Sequence, residues 1–130
     1  MQTLGVGVDI IENSRIKKSI KNKKFLSRIF SKKEINDSKK TINKCSYFSK
    51  RFAAKEAFSK ALGTGFRNDL NFNDISVVKD RYGKPSIKLN TKIKNIIKKR
   101  FKTIKVNVFL SLSDEKKHSI AFVVLGKNES

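Results

Sequence analysis

Three short segments hold the residues whose types and spacing could do chemistry: Gly5-Val6-Gly7-Val8-Asp9-Ile10-Ile11-Glu12, the fifteen residues from Arg51 to Gly65, and Leu110-Ser111-Leu112-Ser113-Asp114. Asp9 and Glu56 are two hard oxygen donors. Mg²⁺ is usually held by one or two carboxylates together with water and the phosphate oxygens of a substrate. Arg51, Lys55 and Lys60 are cations of the kind that pair with such phosphates. The Gly63-Thr64-Gly65 turn lets backbone approach a ligand, although three residues alone are a weak phosphate signal. Other readings stay open at this point. Glu56 and Lys60 lie four apart and could form a solvated ion pair worth a few tenths of a kcal/mol. An aspartate that ends a strand also suits a turn or a cap. Against these, Glu56 sits among Ala53 and Ala57 with Phe52 one turn back, an unusual setting for a merely solvated carboxylate.

The elements that must position these groups can be read from periodicity. Leu4, Val6, Val8 and Ile10 alternate with Gly5, Gly7 and Asp9, which predicts a strand. One face is apolar, and the other is nearly bare until the carboxylate, open to close approach. Asn13 or Ser14 can cap a short helix through Ile16 and Ile20. Ser31-Lys32-Lys33-Glu34 matches a capping box, and Phe25, Leu26, Ile29 and Phe30 anchor the basic stretch before it. A longer helix is predicted from about Cys45 to Leu62, ended by Gly63, with Phe48, Phe52, Phe58 and Leu62 as its apolar stripe. Ile75 to Lys79 and Ser86 to Leu89 predict a hairpin around Asp80-Arg81-Tyr82-Gly83. Thr91 can cap a helix with Ile93, Ile96, Ile97 and Phe101 on one face. Two final strands follow, around Val106 to Leu112 and Ile120 to Leu125. This order predicts a single α+β domain over 1–130, with a mainly antiparallel sheet and a long central helix.

The chain has 130 residues, 38% of them hydrophobic, enough for one core and not two. Charges interrupt every apolar run, so no membrane span is expected. The first twelve residues lack a basic n-region and carry Asp9 and Glu12, so no secretory leader is expected. Cys45 is the single cysteine and cannot form an internal disulfide, which fits a reducing cytoplasm. Without CxxC pairs or a histidine cluster, structural zinc is not expected. Thirty-one Lys and Arg against 11 Asp and Glu give a formal charge of +20, which attracts polyanions. The abundance of Lys, Asn and Ile is also what AT-rich coding produces, so charge selects no partner by itself.

Taken together, G-V-G-V-D-I-I-E, R-F-A-A-K-E-A-F-S-K-A-L-G-T-G and L-S-L-S-D resemble the small, single-domain bacterial type of phosphopantetheinyl transferase. The resemblance covers nearly the whole chain in order, including Tyr82-Gly83-Lys84-Pro85. It implies the 4′-phosphopantetheinyl transferase fold. It also implies Mg²⁺-dependent transfer of the phosphopantetheine arm of coenzyme A to a serine of apo-acyl carrier protein, with release of 3′,5′-ADP, in fatty-acid synthesis. Under it Asp9 and Glu56 are the metal carboxylates, and with Lys60 the catalytic groups. Arg51, Lys55, Lys60, Gly63 and Gly65 fall on the coenzyme A segment. Gly83, Lys84 and Pro85 resemble a hairpin that reaches coenzyme A in a neighbouring subunit, because the family forms trimers with active sites between chains. Arg15, Lys18, Lys21 and Arg28 fall on the docking surface for the acidic carrier. Many relatives have His where this chain has Asp114, so Asp114 receives no role, and His118 is expected to be a strand or turn residue.

The rival reading is a basic nucleic-acid-binding module. It lacks an RNP aromatic pair, a GxxG clamp or zinc-finger spacing.

Overall fold

The computed structural model describes residues 1–66 and 69–128. A long strand, β1 (Gln2–Glu12), leads through three short helices, α1 (Asn13–Ser19), α2 (Lys23–Ile29) and α3 (Lys32–Ser38), into the long α4 (Lys44–Leu62). A 3₁₀ turn (Phe72–Asp74) precedes the β2 (Ser76–Lys79) and β3 (Pro85–Lys88) hairpin. Then come α5 (Thr91–Phe101), β4 (Val106–Asp114) and β5 (His118–Lys127). The strands form an antiparallel sheet ordered β1-β5-β4 and a separate antiparallel β2-β3 ribbon. The α+β architecture read from the sequence holds. Among the described residues, no helix is long and apolar enough to cross a membrane.

The helix starts follow local chemistry. Ser31 and Glu34 form the expected capping box. Two caps differ from expectation. Asn90, not Thr91, caps α5, its side chain accepting from the Ile93 amide at 2.9 Å. Glu12 occupies the α1 cap without a side-chain bond. Asn13 instead turns to the β4–β5 corner, donating to the Glu115 and Lys116 carbonyls and accepting from Ser119 Oγ.

The core lies between α4 and the inner face of the three-stranded sheet. Ala53, Ala54, Ala57, Phe58, Ala61 and Leu62 pack there with Ala121, Val123 and Leu125. The face of β1 turned to α4 is its glycine face. A Cβ on Gly5 would lie 1.9 Å from the Ala61 carbonyl oxygen, and one on Gly7 would lie 1.9 Å from that of Ala57. The close approach suggested by the bare strand face is therefore made by a helix of the same chain. Alternation then sends Val6, Val8 and Ile10 outward, where all three are exposed. Register sets Val124, Phe122 and Ile120 of β5 opposite them, with Phe109 of β4 at the far side. The result is an apolar outer sheet face.

Candidate active site

The glycine–alanine seam brings the first two segments together. With β1 pressed onto α4, Asp9 comes beside Glu56 and Lys60, which are one turn apart on the helix. Lys60 Nζ donates to Asp9 Oδ1 at 3.0 Å and to the Val8 carbonyl at 3.0 Å. Asp9 is largely covered, its side chain 15% exposed, whereas Lys60 is 52% exposed. Asp9 Oδ2 is buried with no hydrogen-bond partner, one of two such side-chain atoms among the described residues. Glu56 is half-buried. Burial raises its pKa first, the Asp9 carboxylate raises it further, and Lys60 pulls it down. Two carboxylates sharing one exposed ammonium form an under-neutralised pair.

That chemistry fits a hard divalent cation. Desolvated carboxylate oxygens are costly unless a charge meets them, and the orphaned Asp9 oxygen is such a group. Among the described residues, no cluster of three or more His, Cys, Asp or Glu could hold a metal. Two carboxylates are, however, the complement Mg²⁺ uses when a phosphorylated substrate completes its shell.

Arg51 and Lys55 lie on another face of α4. Arg51 is buried, its guanidinium carbon 3.6 Å from the centre of the Tyr47 ring and its Nη1 donating to the Tyr47 carbonyl at 3.1 Å. Its Nε is the second unpartnered buried atom. It lines a pocket of about 250 Å³ with Lys33, Asp37, Tyr47 and Lys79. Burial lowers the pKa of Lys79, and the nearby charges of Arg51 and Lys50 lower it further.

Lys55 does not join either group. It is fully buried, donating to Glu34 Oε1 at 2.7 Å, to the Phe72 carbonyl at 3.1 Å and to the Ile75 carbonyl. Burial pulls its pKa down and Glu34 pushes it back up. The expectation that Lys55 offers a cation to phosphate is corrected here: its three N–H donors are used inside the fold. Sequence reading missed its partner, because the capping box accounted for Glu34 without any tertiary role.

Gly63 caps α4 in the left-handed region (φ 78°), with its N–H on the Lys60 carbonyl. Gly65 is also left-handed (φ 62°) and donates to the Ser59 carbonyl. Gly83 (φ 81°) and Lys84 stand exposed at the β2–β3 tip, organised by Asp80, whose Oδ1 accepts from the Tyr82 and Lys84 amides. Pro85 starts β3. A Cβ placed on Gly83 would meet no atom within 4 Å, so the tip is open at that point. Arg15 and Lys18 are exposed on α1, Lys21 in the turn after it, and Arg28 on α2. Four half-buried rings stack beside them in the order Phe25, Phe52, Phe72 and Phe66, at 6.4, 5.5 and 3.8 Å, tying α2 to α4 one turn before Glu56. Asp114 accepts from Ser46 Oγ at 2.5 Å and faces Lys50 at 3.7 Å. His118 opens β5 and bonds Glu115 Oε1 through Nδ1 at 2.8 Å.

Comparison with known proteins defines the class first. The sequence profile of the 4′-phosphopantetheinyl transferase superfamily matches residues 5–123, and the chain belongs to that superfamily. Within it, the chain is 61% identical to a holo-[acyl-carrier-protein] synthase from Pelagibacter ubique, over 98% of this chain and 99% of that one. Two solved structures of such synthases share the fold. The Neisseria meningitidis enzyme superposes with a TM-score of 0.87 at 34% identity, covering 97% of this chain and 100% of that one. The Bacillus anthracis enzyme, solved in complex with CoA (3′,5′-ADP), superposes with a TM-score of 0.81 at 36% identity, covering 98% and 100%. The chain is thus an enzyme, a phosphopantetheinyl transferase similar along its length to the holo-[acyl-carrier-protein] synthases.

Proposed function

We propose that this enzyme transfers the 4′-phosphopantetheine arm of coenzyme A to a serine of apo-acyl carrier protein, releasing 3′,5′-ADP, with Mg²⁺ held by Asp9 and Glu56. The observation that carries this reading is the paired carboxylates at the β1–α4 seam, one with a buried and unpartnered oxygen. Bound there, Mg²⁺ would neutralise the coenzyme A diphosphate. Lys60, half in solvent beside Asp9, supplies positive charge as the serine oxygen bonds the β-phosphorus and the bridging oxygen departs with 3′,5′-ADP. Glu56, its pKa raised, is the chain's own candidate to take the serine proton. Arg51 offers its free Nε to a phosphate in the cationic pocket with Lys33 and Lys79.

The same reading includes a trimer. Val6, Val8, Ile10, Phe109, Ile120 and Phe122 form an exposed apolar sheet face of the kind that marks a protein interface. A neighbouring copy there would also bring Gly83, Lys84 and Pro85 to the coenzyme A site. The carrier docks through Arg15, Lys18, Lys21 and Arg28.

Calorimetry tests the ligand class. Coenzyme A should bind in the presence of Mg²⁺, with Arg51→Ala and Asp9→Asn each weakening it. Tight binding of duplex DNA or RNA at about 0.15 M salt, with no coenzyme A binding, would favour the basic nucleic-acid module instead.

A further inference from the structure

The β2–β3 ribbon makes no backbone ladder with the main sheet. A two-stranded ribbon is marginal alone, so its placement depends on what packs and bonds at its base. Val77 and Ile87 supply buried apolar contacts. The polar part of that base is one buried ion pair. Glu34 Oε1 accepts from Lys55 at 2.7 Å and from the Ser31 amide at 2.9 Å, while Oε2 accepts from the Val77 amide of β2 at 3.1 Å. Lys55 also holds the Phe72 and Ile75 carbonyls, on the segment that leads into β2. Ser31 Oγ bonds Ser76 Oγ at 2.7 Å alongside. Capping α3 needs only one Glu34 oxygen. The second oxygen and all three Lys55 donors join α3 and α4 to the root of the hairpin.

We propose that the buried Glu34–Lys55 pair is a positioning element for coenzyme A binding: it fixes the β2–β3 hairpin against α4, and so sets where Gly83, Lys84 and Pro85 lie, without touching substrate. This rests on the reading above that the hairpin tip meets coenzyme A. Arg51 stands one helical turn from Lys55 on the same face, so the pair also braces the helix beneath the phosphate pocket. Glu56, the next residue, points about 100° away and feels Asp9 of β1 instead. Loss of the pair should therefore act on coenzyme A affinity and leave turnover in place.

The test uses the full chain with Glu34→Gln and Lys55→Met combined. Removing both charges avoids stranding one buried ion, which would destabilise the fold by itself. Amide hydrogen exchange over residues 76–88 should quicken, because the Phe72 and Ile75 carbonyls lose their donor. KM for coenzyme A should rise about tenfold, the scale of one lost hydrogen-bonding anchor, while kcat and the KM for carrier stay near wild type. Wild-type exchange and KM in the double variant, or a fall in kcat with KM unchanged, would overturn the proposal. Should the double variant fail to fold, Lys55→Arg takes the same measurements. The guanidinium keeps the charge but cannot repeat the three bonds, so a raised KM at unchanged kcat supports positioning, and an unchanged KM overturns it. If the wild-type enzyme itself binds no coenzyme A, the functional reading fails, and the hydrogen-exchange comparison still decides whether the pair anchors the hairpin.

Discussion

Lys60 reaches from α4 across to β1 and sets its ammonium 3.0 Å from Asp9 Oδ1, so the cation next to Glu56 on the helix is committed to the strand. Glu56 is left half-buried, near a second carboxylate, with only the distal pull of Lys60 to offset it. The site is poised to receive positive charge.

This poise has a sign. The folded-state pKa of Glu56 is raised, so folding favours its protonated form. The stability that this preference contributes is full below the unfolded value and is lost as pH rises through the folded one. Glu56→Gln, neutral at every pH, should therefore raise Tm at neutral pH without metal. Adding Mg²⁺ should raise Tm of the wild type and not of the variant. Turnover of the variant should fall about 10²-fold or more, the scale of losing one preorganised electrostatic group. Wild-type activity in Glu56→Gln would contradict the assignment.

Gly7 tests the seam. Its Cβ position lies 1.9 Å from the Ala57 carbonyl oxygen, backbone that cannot swing aside. Gly7→Ala should destabilise the fold by about 1–3 kcal/mol through overpacking and, by parting β1 from α4, reduce activity more than stability alone explains. Chemical denaturation and single-turnover rates measure the two effects separately. A variant with native stability and rate would mean the seam yields freely.

The outer sheet face makes a prediction about assembly. Val8 is 51% exposed, and its neighbours on that face are also apolar. Light scattering at micromolar concentration should give about three times the 14.9 kDa chain mass. Val8→Lys with Phe122→Lys should yield a folded monomer with little activity. A wild-type monomer that is fully active would refute the shared site.

Carrier docking is tested by paired charge reversal. Arg15→Glu with Lys21→Glu should raise KM for carrier by one to two orders of magnitude at about 0.15 M salt and leave KM for coenzyme A nearly unchanged. Lys94→Glu with Lys98→Glu, on the exposed side of α5, should do little. Equal effects would mean that the surface is merely basic.

Much of this was legible in the sequence because it is local. Alternation gave β1, Gly63 ended α4, and Ser31-x-x-Glu34 started α3, each within a few residues. What escaped reading is tertiary. Nothing in the spacing of Glu34 and Lys55, 21 residues apart, says that they meet in the interior. Lys55 and Lys60 share one helix and look alike in sequence; only packing sends one into the core and the other to Asp9. The glycine face of β1 announced a close approach, but its partner, the alanine side of α4, became evident only in the folded chain. Asp114 had no legible role, and its bond to Ser46 spans 68 residues.

Transfer of the phosphopantetheine arm can be read by intact-mass spectrometry of apo-acyl carrier protein incubated with enzyme, coenzyme A and Mg²⁺. The carrier serine should gain the mass of one phosphopantetheine, and the gain should be lost when Mg²⁺ is chelated and lost in Asp9→Asn. An unmodified carrier, or full modification with the metal removed and Asp9 replaced, would contradict it.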